Sequence, residues 1–182
     1  GPRAHTKQRF AQMMSEYDLP LVVASFLVAV LAAYAALFFG ARLVNAESGE
    51  RRKWLLAGAL LMGTGVWTMH FVGMRAMPMG VPMSFDVIMT LVSWFAAVLA
   101  SGVALHIIGR KQLGVPLFVS ATLSMASGIV VMHYLGMYAM RMSAPPTFNT
   151  VFLLISIAIA VVASGAALAL CRKLQGMDGS GT

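Results

Sequence analysis

Five uninterrupted apolar runs dominate this chain and leave few folds open to it. They are Leu19–Leu43, Trp54–Met77, Val87–Gly109, Val115–Met140 and Val151–Leu170. Each reaches the roughly 20 residues that a helix needs to cross the hydrocarbon core of a bilayer. Lipid offers no partner for an open backbone, and the runs lack the alternation of barrel strands, so helices are the consistent reading. Only 10% of the residues are charged, against about 25% in an ordinary soluble domain. The expectation is an all-α, polytopic transmembrane bundle of about five spans. Residues 1–16 form a polar amino-terminal tail, 17–173 the membrane domain, and 174–182 a linker or cut end. Gly1-Pro2 reads as the scar of a cleaved tag.

The runs are related to one another. Met69-His70-Phe71-Val72-Gly73-Met74 ends the second, and Met132-His133-Tyr134-Leu135-Gly136-Met137 ends the fourth. The offset, 133 − 70 = 63, also maps Met62 onto Met125, Gly65 onto Gly128, Phe85 onto Phe148, Ser93 onto Ser156 and Ser101 onto Ser164. Tyr17-Asp18 and Phe85-Asp86 open the first and third runs alike, and Ser25 follows Tyr17 at the spacing by which Ser93 follows Phe85. The unit is therefore a pair of helices. A two-helix unit keeps its direction from copy to copy, so the repeats are parallel.

Basic residues give an orientation. Arg42, Arg51, Arg52, Lys53, Arg110, Lys111, Arg172 and Lys173 mark one side, while Arg75 and Arg141 lie by the motifs. The positive-inside rule puts the first set in the cytoplasm, with the carboxy terminus, and both motifs on the outer face, although Arg3, Lys7 and Arg9 of the tail lie on that face too. The formal charge of +7 is thus spent on orientation and does not signal nucleic acid.

On a helix His70, Met74 and Met77 fall on one stripe, and His133, Met137 and Met140 repeat it. Imidazole with thioethers suits a soft ion, above all Cu(I). Membrane burial alone does not call for 15 methionines, since leucine would serve. Met69 and Met132 lie about 100° off the stripe and read as packing or added ligands. Asp18 and Asp86 read as N-caps that can also orient a histidine ring, and Tyr134 as a polar tip beside His133. Gly73 and Gly136 permit close helix approach. Met79 and Met83 read as interfacial residues, His106 as structural. The single Cys171 excludes an internal disulfide. No Ser-His-Asp set, phosphate loop or catalytic carboxylate pair is present, so an enzyme is not expected.

At these residues the chain resembles the MHYT family of bacterial membrane sensor domains. Met132-His133-Tyr134-Leu135 fits the Met-His-Tyr-Thr motif with leucine in the last place, and Met69-His70-Phe71-Val72 is a variant of it. Tyr17-Asp18-Leu19-Pro20-Leu21-Val22 resembles the family's first helix. The resemblance implies a copper-binding sensor of O2, NO, CO or redox state, signalling to cytoplasmic GGDEF and EAL modules that turn over cyclic di-GMP. Family members often carry a third motif and more spans, so the chain is expected to be a piece of a longer sensor. The implied partners are the bilayer, a diatomic gas, the cytoplasmic modules and a second copy in a homodimer. Two other readings of the same residues stay open: a copper transport or handling protein, and a haem protein with His70 and His133 as axial ligands. Zinc is the alternative ion.

Overall fold

The computed structural model describes residues 18–76, 84–110, 112, 114–141 and 150–178. Met77, Met79, Met83, the amino-terminal tail and the proline-bearing segment 142–149 lie outside them. Five helices carry the fold: α1 Leu19–Asn45, α2 Ser48–Arg75, α3 Val87–Ile108, α4 Val115–Ala139 and α5 Thr150–Asp178. All five are long and apolar enough to span a membrane. The chain is a multi-pass helical membrane protein.

The helix starts follow from the sequence. Asp18 caps α1 by accepting from the Leu21 N–H at 3.3 Å, and Asp86 caps α3 through the Met89 N–H at 3.1 Å. Proline sits in the first turn of α1 and α4, where no backbone donor is lost. α2 begins six residues before its apolar run, so Arg51, Arg52 and Lys53 are helical. Their charge ends the hydrophobic stretch without ending the helix.

Successive helices pack side by side, and α5 returns to touch α1. The repeat is visible in the contacts. The Asp18 N–H donates to the Ala76 carbonyl at 3.1 Å, and the Asp86 N–H donates to the Ala139 carbonyl at 2.7 Å. Each odd helix thus begins where its even partner ends. A Cβ on Gly65 would run into Ala32, and one on the equivalent Gly128 would run into Ala100. Small residues bring both pairs to backbone-close packing. A two-residue antiparallel pair, β1 Ser84–Phe85 with β2 Met140–Arg141, adds to the closure of the second unit.

The bundle is inside-out relative to a soluble protein. Phe26, Val87 and Val162 are 68%, 71% and 71% exposed, which only a lipid solvent tolerates on this scale. Between the helices lie two apolar clusters. One, at the basic end, contains Leu43, Leu105, Ile108, Ala121 and Leu168. The other, at the motif end, contains Phe71, Met74 and Met140 with Trp67, Phe85 and Met137 against them.

Candidate metal centre

The two histidines meet. His70 on α2 and His133 on α4 place their Nδ1 atoms 3.4 Å apart, with ring centroids 4.8 Å apart and planes at 66°. An N–H hydrogen bond is typically about 2.7–3.2 Å long, so this separation is loose for one. Two nitrogens held about 2.0–2.1 Å from one tetrahedral ion would stand about 3.4 Å apart. The pair therefore has the bite of a shared ion.

Second, the His70 Nε2 is buried and has no hydrogen-bond partner among the described residues. It faces Gly136, where an added Cβ would lie 2.8 Å from Nε2. The glycine of one motif thus makes room for the histidine of the other. A ring held by packing at this depth, with an unsatisfied nitrogen, fits a role in binding better than a role in holding the fold. In donor chemistry and spacing the residues fit a soft or borderline ion.

The remaining candidates separate into groups. Met74 and Met140 are buried against Phe71, and Met137 packs on the same cluster. Phe71 contacts the His70 ring edge-on at 5.4 Å between centroids. These three thioethers therefore gather beside the histidines, on the motif side, in an aromatic setting. Met69 turns elsewhere and lines a cavity on the basic side. Met132 is 2% exposed and fully packed. Asp18 and Asp86 act as the N-caps described above. The Tyr134 ring lies against His133, and its hydroxyl shares a 3.1 Å hydrogen bond with Ser156.

Three serines in one register complete the surroundings. Ser25 donates to the Met69 carbonyl at 2.9 Å, Ser93 accepts from the Trp67 indole at 3.1 Å, and Ser156 bonds Tyr134. Each odd helix grips a motif helix through the same position. The sequence showed their spacing but not their task, because a serine in a helix gives no sign of which neighbour it faces.

The family profile described as "Bacterial signalling protein N terminal repeat", MHYT, matches residues 8–58, 63–121 and 127–178. The chain belongs to the MHYT family. Its MHYT repeats are phased so that each of the last two holds one histidine motif and the helix that follows it. Among curated relatives, the bifunctional diguanylate cyclase/cyclic di-GMP phosphodiesterase MucR of Pseudomonas aeruginosa is 40% identical over 163 residues, covering 90% of this chain and 24% of MucR. The cyclic di-GMP phosphodiesterase NbdA of the same organism is 36% identical, covering 88% of the chain and 20% of NbdA. The signaling protein YkoW of Bacillus subtilis is 34% identical, covering 81% and 18%. The MHYT chain thus spans about a quarter or less of the length of these proteins. No solved structure matches it.

Proposed function

We propose that this chain is the membrane-embedded sensor domain of a longer signalling protein, in which His70 and His133 hold one copper ion near the periplasmic face. The observation that carries the reading is the 3.4 Å approach of two motif nitrogens from separate helices. Bound copper would supply a redox-responsive centre open to O2, NO or CO. The chain's own residues supply the rest. His70 and His133 tie α2 to α4, and both helices run unbroken to the basic end. There the Arg51 guanidinium of α2 donates to the Leu43 and Gly109 carbonyls at 3.1 and 3.2 Å, at the ends of α1 and α3. A helix shift of about 1–2 Å at the histidines would thereby reach the opposite face. The names of MucR and NbdA make cyclic di-GMP turnover the output expected of the attached cytoplasmic modules, with this domain as the non-catalytic part.

The geometry favours this over the alternatives. Two imidazoles in contact leave no plane for a macrocycle between them, which argues against bis-histidine haem. An ion leaving the pair toward the basic end would enter a cavity whose lining offers four sulfurs, those of Met69, Met62, Met125 and Cys171, spread along the bundle and no charged side chain, which gives a transport path little support.

The test is elemental analysis and absorption spectroscopy of the purified domain. About one copper per chain, no Soret band, and a spectrum altered by NO or CO are expected. Copper at background level would remove the reading. Orientation is checked separately: cysteines introduced in 78–84 should react with an impermeant thiol reagent from the periplasm, and one at Gly49 should not.

A further inference from the structure

The five helices enclose a cavity of about 240 Å³. Its motif-side limit is Met69, next to His70. Its other limit is Cys171 and Ile108. Counting from Ser156, which bonds Tyr134 beside His133, Cys171 lies 171 − 156 = 15 residues along α5, or about 22 Å at 1.5 Å per residue. Met69 is at the level of the histidines, so the lining residues span about 20 Å along the bundle, while the volume suffices for the end of an alkyl chain rather than its whole length. It exists because α1 presents only Ala29, Ala32, Ala33 and Ala36 along most of its wall. Met62, Met125 and Cys171 also touch it, but Cys171 stands about 10 Å deeper than the two methionines, which spreads the sulfurs too far to share one ion.

The cavity has a mouth. Its walls on α2, α3 and α4 are buried or half-buried, whereas Ala33 on α1 and Ala167 and Leu170 on α5 are exposed. The opening lies between α1 and α5, toward lipid. Past its deep end, α5 continues into Arg172 and Lys173, and the Arg172 guanidinium donates to the Arg110 carbonyl at 3.1 Å. Positive charge therefore collects where a chain leaving the cavity would meet the headgroups.

The geometry points to a lipid site: one acyl chain of an anionic phospholipid from the leaflet at the basic end enters between α1 and α5, with its headgroup by Arg172 and Lys173. Apolar walls and a lipid-facing mouth select the end of the chain, and the adjoining cations select the headgroup. In a bilayer, hydrophobic transfer does not drive entry, because lipid is already apolar. Entry is driven by the dispersion contacts that walls around a void otherwise lack, together with the attraction of the headgroup. The inserted end of the chain would lie between Met62 and Met125, which line the middle of the cavity. This goes beyond the metal reading and does not depend on it.

The test places the chain in bilayers containing phosphatidylglycerol with a diazirine on one acyl chain, or phosphatidylcholine with the same chain. Illumination is followed by mass mapping of labelled peptides. The anionic probe should label Met62 and Met125, which face the cavity, at least about tenfold above the zwitterionic probe; both should label lipid-facing Phe26 and Val162 alike. Ala33→Trp, which fills the mouth, should abolish the interior label and keep the exterior one. Arg172→Gln with Lys173→Gln leaves the cavity intact and should erase the difference between the probes. Exterior labelling without interior labelling would overturn the proposal, as would equal interior labelling by both probes in the unaltered chain.

Discussion

The two ends of the bundle use their polar groups in opposite ways. At the basic end, Arg51 reaches two helix-terminal carbonyls, Arg172 reaches a third, and Arg42 stacks over Phe38 and Trp54 at 5.1 and 5.2 Å. Each cation meets the negative pole of a helix or the face of a ring, the arrangement that lowers its energy most. At the motif end, beside the capping carboxylates of Asp18 and Asp86, one of the most buried polar atoms, the His70 Nε2, has no partner among the described residues. The cation-to-carbonyl bonds fix the register of the helices at the basic end. In the proposed reading, the end with the unpartnered histidine nitrogen is the one that binds and responds. On that proposal, holding and sensing are separated by the length of the helices and joined through them.

The largest break in this comparison should come from the histidines. His70→Ala and His133→Ala should each lower metal affinity by on the order of a hundredfold or more, since even indirect partners of a ligand count for about 10–100-fold. The double variant should lose little more, because one shared ion cannot be lost twice. Chelator competition measures this, and two independent sites would appear as additive losses. Next, Gly136→Val should push the His70 ring aside. We expect a drop in affinity of about 10–100-fold, with a fold cost of about 1–3 kcal/mol from overpacking.

Arg51→Ala tests the opposite end. It should cost about 1.5–3 kcal/mol of stability, as expected for charge-assisted hydrogen bonds, while metal affinity stays within about twofold. Arg51→Lys should recover part of it, because both bonds leave the single Nη1 atom and an ammonium also carries donors for two carbonyls. Thermal unfolding in detergent, read beside metal titration, separates the two effects. A large loss of metal affinity would show that the ends are not separable. The smallest effect should come from Met74→Leu with Met137→Leu. Volume is nearly conserved, so stability should change by less than about 1.5 kcal/mol. Cu(I) affinity should fall more than zinc affinity. Unchanged Cu(I) affinity would reduce these methionines to packing against Phe71. Acidification should release either ion, since metal binds the neutral imidazole and protons compete for it.

Much of this was legible because it is periodic. The spans follow from run length, the equivalence of His70 and His133 from an internal offset, and both aspartate caps from their position before an apolar run. What was not legible depends on direction around a helix. Met69 and His70 are neighbours in sequence, yet one lines the cavity and the other meets α4, and only the crossing of the helices decides which. Arg51 read as an orientation charge; its fork onto Leu43 and Gly109 requires the ends of α1 and α3 to be side by side. The cavity was invisible because its walls come from all five helices, and the alanines of α1 look like ordinary membrane filler in sequence.

The backbone bonds from Asp18 to Ala76 and from Asp86 to Ala139 have a consequence for how such chains arise. Each helical hairpin is sealed at its open end by its own first and last residues. Duplicating it therefore leaves no stranded donor at the seam, and a new copy needs no partner waiting for it in the bilayer. A gene encoding one hairpin could lengthen by whole copies, each inserted as a finished piece, and the histidine of every copy would arrive on the same face. The histidine pair is then a product of duplication: one copy brings a single imidazole, and only the second turns it into a pair.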